Sequence, residues 1–444
     1  MLKDKKIGLI SLGCDKNRVD SERALALINS CAKIVNDVDK ANVVVINTCA
    51  FLESARAEAI ETVFSVNALR GNGNLEKIVV TGCLPEKFID DIFDDFIEVD
   101  AFLGINDYDL LLDAIVETYK GYRVNFVGKN KKVQIKERIM TTPCHYSYLK
   151  IADGCNNKCT YCLIPKIRGK YVSTPIEELV EEAKNLGDLK ELILVAQDVT
   201  RYGEDLYGEK KLVTLIRELS KLDNIEKIRL LYCYPDAIND ELILELKTND
   251  KLLKYVDIPL QHSENSVLKR MNRRGTREDY LSLINKLKAE IPSIAIRSTF
   301  ITGFPGETEE DFNGLIDFIK TAKLDNAGFF AYSREEQTPA YKLPNQIDEK
   351  VKQKRLKKLY SVQKAISKQL LKRYVGKTLE VVCDGVDYEK QSFYGRHYGF
   401  APDIDGKVYF TNDEIISQGE TYSVLIERAD EYDLHGRVSN EFTE

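Results

Sequence analysis

Three apolar, strand-like runs near the start of the chain each close on a cysteine: Ile7 to Cys14, Val43 to Cys49 and Ile78 to Cys83. Helical patterns separate them, from Asp20 to Cys31 and from Leu52 to Arg70, and another follows Pro85 with Phe88, Ile92 and Phe96 at helical intervals. A strand that returns through a helix lies parallel to its predecessor, so this repeat predicts a parallel sheet. Ligands of such sheets gather beyond the carboxyl ends of the strands. Cys14, Cys49 and Cys83, spaced by 35 and 34 residues, would all project there.

A second cysteine trio is local. Cys155, Cys159 and Cys162 stand at Cys-x3-Cys-x2-Cys spacing in Asp153-Gly154-Cys155-Asn156-Asn157-Lys158-Cys159-Thr160-Tyr161-Cys162. A structural zinc site or a closed electron carrier takes four ligands, and here there are three. Three thiolates can hold three corners of a four-iron, four-sulfur (4Fe-4S) cube and leave its fourth iron open to another ligand. The first trio has the same deficit, so two metal sites with open irons are expected. Cys31, Cys144, Cys233 and Cys383 match no ligand spacing and read as structural thiols.

Beyond the first repeat, a basic, mixed stretch from Gly121 to Pro143 (Arg123, Lys129, Lys131, Lys132, Lys136, Arg138) reads as a short strand and a linker. From Tyr146 the alternation resumes, with strand candidates at 147–152, 191–197, 227–233, 255–260, 294–301 and 326–332 and helical segments between them. Six β-α units predict a partial barrel, shorter than the closed eight-unit form. The local trio follows its first strand, on the side where barrel active sites lie. Gln346 to Tyr374 is a charged helical pattern ended by Gly376, and four short alternating runs after it (Thr378 to Cys383, Ser392 to Phe400, Lys407 to Thr411, Thr421 to Arg428) predict a small antiparallel β-barrel. The division expected is 1–122 for the first α/β domain, 123–143 for the linker, 144–345 for the partial barrel, 346–374 for the linking helix and 375–444 for the small barrel.

The composition, 43% hydrophobic and 30% charged, is that of a soluble chain. No apolar stretch approaches the roughly 20 residues that span a bilayer. The apolar run at Ile7 to Ile10 stops at Ser11 and reads as a strand, not a signal peptide. Ten cysteines without a secretory signal point to reduced thiols in a cytoplasmic protein. The net charge of −7 gives no overall nucleic-acid footprint.

The local trio, with Tyr161 before its last cysteine, resembles the radical S-adenosylmethionine (SAM) enzymes. That resemblance implies an open iron that chelates SAM and an electron that cleaves it to a 5′-deoxyadenosyl radical. The two trios together, with Gly13-Cys14-Asp15-Lys16-Asn17-Arg18-Val19-Asp20-Ser21-Glu22 in front and the small barrel behind, resemble the methylthiotransferases along essentially the whole chain. The resemblance implies an N-terminal methylthiotransferase domain with an auxiliary cluster, a partial (β/α)6 radical SAM barrel and a C-terminal β-barrel of the TRAM kind. Its cofactors would be two 4Fe-4S clusters, one on Cys14, Cys49 and Cys83 and one on Cys155, Cys159 and Cys162, together with SAM. One SAM would donate its methyl to sulfur, and a second would yield the radical that takes hydrogen from the substrate.

Two subfamilies compete: enzymes that modify an adenosine of tRNA, and RimO-type enzymes that modify the β-carbon of an aspartate in small-subunit ribosomal protein S-twelve. Ser11-Leu12-Gly13-Cys14-Asp15-Lys16-Asn17 is similar to the RimO opening, with Asp15 where Pro is usual. Ala196-Gln197-Asp198, Arg201-Tyr202-Gly203, Pro259-Leu260-Gln261-His262-Ser263 and Glu335-Glu336-Gln337-Thr338-Pro339-Ala340 are similar too, with Gln337 where Gly is usual. By position in the family, SAM contacts are expected from Tyr161, Gln197, Asp198, Gln261, His262, Arg297, Gly303 and Phe304. No catalytic side chain is expected beyond the cluster ligands. A flavodoxin or ferredoxin would supply the electron.

Charge separates the two substrates. From Val375 to Glu444 there are six Lys or Arg against fifteen Asp or Glu, a net −9 that leaves +2 for the rest. A field of this sign repels RNA phosphates within a Debye length of roughly 8 Å and attracts a basic ribosomal protein. Ribosomal protein S-twelve is therefore the expected partner of this segment, and direct tRNA binding is not expected.

Overall fold

The computed structural model describes residues 2–71, 73–129, 137–412 and 414–439. Its first domain is a six-stranded, wholly parallel sheet ordered Lys33–Ile34, Lys6–Ser11, Val43–Thr48, Lys77–Gly82, Ala101–Phe102, Val124–Asn125. Val43 to Ile46 is apolar without interruption because both faces are covered. Val43 and Val45 pack towards helices Asp15–Asn29 and Leu111–Tyr119, while Val44 and Ile46 pack towards Glu53–Asn67 and Cys83–Ile92. The chain reverses direction across the sheet between Lys6–Ser11 and Val43–Thr48. The crevice at that switch point is where open α/β sheets bind ligands.

The first helix begins at Asp15, immediately after Cys14, and not near Asp20 as its apolar period suggested. Lys16, Asn17, Asp20, Ser21 and Glu22 are polar yet buried, so hydrophobic periodicity could not reveal its first turn. Asp15 occupies the first helical position. Pro is favoured there, and an acidic residue is favoured by the helix dipole, so the departure from the family's Pro costs little.

Lys131, Lys132 and Lys136 of the basic stretch lie outside the described residues. Arg123 and Arg138 are not solvated linker residues. Arg123 donates to the carbonyls of Val99 and Phe96 at 2.9 and 2.6 Å. Arg138, 2% exposed, pairs with Glu22 and, at 2.7 Å, with Glu182. It ties the first domain to the barrel helix Ile176–Lys184.

The barrel is two three-stranded parallel sheets set side by side: Tyr146–Lys150, Leu189–Val195 and Ile225–Leu230, then Tyr255–Gln261, Ala295–Thr302 and Asn326–Ala331. Each strand lies within two or three residues of its sequence-based position. Helices Arg277–Glu290 and Glu309–Ala322 start on capping boxes, Thr276 with Asp279 and Thr308 with Asp311. The 23-residue helix Glu349–Leu371 then crosses the barrel, and Leu359 joins its outer core.

Five strands, Thr378–Asp387, Ser392–Arg396, Val408–Thr411, Thr421–Ala429 and Leu434–Val438, close the last barrel. The fifth, Leu-His-Gly-Arg-Val, carries too little apolar alternation to be read from sequence. Its pairing with Val408–Thr411 is parallel, the one exception in a barrel expected to be antiparallel. This barrel plugs the amino end of the partial barrel. Arg396 donates to Glu191 at 2.7 Å, and Arg229, on the neighbouring strand, binds both Glu191 and the Tyr398 carbonyl. Burial alone would raise the Glu191 carboxyl, but Arg229 and Arg396 outweigh it and hold it down at about 2.

Candidate active site: two thiol trios at one barrel mouth

Cys14 caps helix Asp15–Asn29, and Cys83 is the first residue of helix Cys83–Ile92. Both residues therefore sit at the amino end of a helix. Cys49 follows the strand between them. The three interact electrostatically, Cys49 with Cys14 and Cys83 with both. Gly82 makes the turn possible: its φ is +95°, and a Cβ there would lie 2.3 Å from the Asn47 amide oxygen and 2.6 Å from the Thr48 carbonyl.

The local trio sits on a loop clamped from three sides. Cys155 N–H donates to the Gly169 carbonyl at 3.1 Å, Thr160 N–H to Met271 at 3.0 Å, and Asn272 to the Lys158 carbonyl at 2.8 Å. Gly154 again has positive φ, and a Cβ would fall 2.1 Å from the Lys170 carbonyl. The Tyr234 hydroxyl lies 2.9 Å from Cys159 Sγ, and the Arg273 guanidinium stacks on the Tyr234 ring at 4.0 Å.

The two trios are neighbours. Leu163 and Ile167, just past Cys162, pack with Cys83, Ala50 and Leu84 in one buried cluster. Arg168 then binds Asp153 at 2.7 Å, Asn17 at 2.6 Å, Asp20 at 3.1 Å and Cys83 Sγ at 3.8 Å. Glu335 reaches from the loop after the last barrel strand to the start of helix Glu53–Asn67, accepting from Glu53 N–H at 2.8 Å and Arg56 at 2.6 Å. Tyr232 and Tyr234, two residues apart, face one trio each, Tyr232 donating to Asp15 at 3.2 Å beside Cys14. None of Arg168, Asn17, Asp20, Asp153, Tyr232, Tyr234 and Arg273 was singled out from sequence. Asp153, Asp20 and Asn17 stood inside the quoted motifs, but spacing assigned them no role.

The expected SAM contacts divide. Tyr161 and Phe304 share an apolar cluster with Met271 and Tyr332. Gln197 donates to Asp153 at 3.1 Å, and its buried amide oxygen has no partner, an acceptor left open beside the trio. Asp198 accepts from Asn157 of the loop at 3.1 Å and from Thr200, and burial raises its carboxyl. Gln261 ends its strand with φ +70°. His262 is fully buried, accepts from Glu264 N–H and faces Glu307 at 3.6 Å. Glu307 in turn accepts from Gly303 N–H at 2.7 Å, so His262 and Glu307 hold the Gly303-Phe304 turn from behind. Gly303 has φ +76°, and the Lys352 side chain lies where a Cβ would stand. Arg297 is not brought to the thiols. It pairs with Asp257 at 2.9 Å and Asp405 at 3.3 Å, because it stands five residues before the end of its strand, roughly 16 Å below the mouth.

The thiols suit iron-sulfur cubes. All six are free, and burial pushes Cys155 up to about 11 and Cys83 up to about 12, so a bound cation is what would make them thiolates. Among the described residues no three His, Cys, Asp or Glu side chains converge tightly enough for a single ion. Cys31, Cys144, Cys233 and Cys383 join neither trio: Cys31 bonds the Ile28 carbonyl, Cys144 is exposed, and Cys233 and Cys383 lie in separate cores.

The chain matches family models for the radical SAM superfamily over residues 149–319, for uncharacterized protein family UPF0004 over 6–104 and for the TRAM domain over 375–438. It is 45% identical over 442 residues to the ribosomal protein uS12 methylthiotransferase RimO of Clostridium botulinum strain Hall, covering 99% of both chains. The chain belongs to the RimO methylthiotransferase family. A second member, from Clostridium perfringens strain 13, is 46% identical over 441 residues and 98% of both chains. The fold is shared more widely: the radical SAM methyltransferase TsrM of Kitasatospora setae superposes with a TM-score of 0.57 at 14% identity over 77% of each chain. Like its RimO relatives, the chain is a transferase of the radical SAM kind.

Proposed function

We propose that this RimO-type enzyme places a methylthio group on the β-carbon of an aspartate in ribosomal protein uS12. The observation that carries the reading is the meeting of two three-thiol sites at one barrel mouth. Cys155, Cys159 and Cys162 are proposed to hold the radical cluster, and Cys14, Cys49 and Cys83 the auxiliary one. When bound, these clusters supply an electron that cleaves SAM and a site that carries sulfur. The chain's own residues do the rest. Asp198 and Asn272 fix the loop, Tyr161, Gln197 and Gln261 border the space for SAM, and the first domain covers the mouth against water.

The C-terminal barrel supports the protein substrate. Its Asp384 and Asp405 pair with Arg396 and Arg297, and Glu420 and Glu427 with Lys190 and Arg437 at the surface, while Glu380, Glu389, Asp403 and Glu414 are exposed as well. These carboxylates favour a lysine- and arginine-rich protein, with association that weakens as salt rises, and disfavour tRNA. A flavodoxin or ferredoxin is proposed as electron donor, and the cytoplasm as the compartment.

Mass spectrometry of the reconstituted chain incubated with SAM, a sulfur source, a reductant and either small ribosomal subunits or tRNA tests the reading. A gain on uS12 equal to one methylthio group replacing hydrogen, with tRNA unmodified, is expected. Modified tRNA with unmodified uS12 overturns it.

A further inference from the structure

We propose that Arg168 is the positioning residue that couples the two thiol trios and balances the charge beside the auxiliary one; this rests on reading the trios as cluster sites. Its side chain is 2% exposed. One planar guanidinium donates to Asp153, two residues before Cys155, to Asn17 and Asp20 on the helix capped by Cys14, and to Cys83 itself. Lys150 closes the ring, binding Asp153 at 3.0 Å and also Asp20. Two cations thus face two carboxylates in a largely buried junction, and these four charges cancel.

Two consequences separate. The first is geometric: the rigid fork of Arg reaches three partners at fixed angles, which the single ammonium of Lys does not. The second is electrostatic. Arg168→Gln leaves Asp20 and Asp153 against Lys150 alone, one unbalanced buried negative charge beside Cys83. Because charge and hydrogen bonds at the sulfurs set a cluster's potential, the auxiliary cluster then becomes harder to reduce. Arg168→Gln combined with Asp153→Asn restores neutrality without restoring the tether.

The experiment uses the full chain, reconstituted anaerobically, in two backgrounds. With Cys155, Cys159 and Cys162 replaced by Ala, only the auxiliary cluster remains, and it is titrated with dithionite, one electron per cluster, under electron paramagnetic resonance. Arg168→Gln is expected to lower the midpoint, and both Arg168→Lys and the neutral double variant to return it close to the parental value. With all six cysteines present, the 5′-deoxyadenosine formed per methylthio transferred is expected to rise by roughly tenfold or more in all three variants, as a displaced reactant would require. A parental midpoint in Arg168→Gln at full iron content overturns the proposal, as does parental coupling in Arg168→Lys. Should Arg168→Gln take up no iron, Arg168→Lys and the double variant decide it by the same criteria. A parental chain that takes up no iron at Cys14, Cys49 and Cys83 would instead overturn the cluster reading on which the proposal rests.

Discussion

The two trios offer the same chemistry built in opposite ways. Cys155, Cys159 and Cys162 come from one eight-residue loop, so their meeting depends on local turns and on the clamp from Thr160, Asn272 and Asp198. Cys14, Cys49 and Cys83 come from three strand ends, so their meeting depends on a parallel ladder that fixes every register from Ile7 to Gly82. Each set has one buried arginine at hand, Arg273 for the loop and Arg168 for the strand ends. A loop trio can be written into any strand end by a short motif, whereas a strand-end trio needs the whole domain. Its geometry is correspondingly harder to disturb by one change.

The largest effects should follow from removing each trio in turn. Replacing Cys155, Cys159 or Cys162 with Ala is expected to abolish 5′-deoxyadenosine formation and about half the bound iron, since two thiolates do not keep a cube in place. Replacing Cys14, Cys49 and Cys83 together should leave SAM cleavage largely intact while stopping methylthio transfer, read by chromatography of both products. Normal product from that triple variant would break the division of labour.

A smaller effect sharpens the contrast between loop and ladder. Gly154→Ala and Gly82→Ala each force a Cβ into backbone or amide oxygen at positive φ, at a cost of about 1–3 kcal/mol in backbone strain, with the clash added. In Gly154→Ala the carbonyl of Lys170 must move and the loop with it, so iron at the local trio should fall. In Gly82→Ala the ladder resists, so thermal stability of the first domain should fall before its iron does. Iron analysis and a melting curve on each variant check this, and equal iron losses at both sites would remove the distinction.

The smallest expected effect touches neither trio. Gln337 has φ +66°, in the left-handed region, where the family's usual Gly is unstrained. Gln337→Gly should stabilise the chain by about 1 kcal/mol, seen as a modest rise in melting temperature with unchanged iron content. Its backbone carbonyl, which accepts from Lys166, is kept in the variant.

What sequence revealed follows the same contrast. The loop trio was legible from spacing, and the strand-end trio from the period of the repeat, because buried parallel strands leave apolar runs such as Val43 to Ile46. The six barrel strands were legible from their apolar-rich runs alternating with helical patterns. The partners that join the trios were not. Arg168, Lys150, Asp20 and Asp153 are charged, and charge in a sequence reads as surface until a second domain is seen to cover it. Arg138 misled in the same way, looking like linker while sealing a junction. Lys352, which arrives beside Gly303 from the helix Glu349–Leu371, was not legible as its neighbour. Arg297 was placed on the correct strand, but its distance from the strand's end puts it among the acidic groups of the C-terminal barrel.

The central claim, that two separate trios each hold a cluster, is tested most directly by counting iron on the anaerobically reconstituted full chain, with Mössbauer spectra to assign it. The account predicts about eight irons per chain in two cubes, falling to about four when either trio is replaced by alanines. About four irons per chain, lost entirely with Cys155, Cys159 and Cys162 and unaffected by loss of Cys14, Cys49 and Cys83, would contradict it.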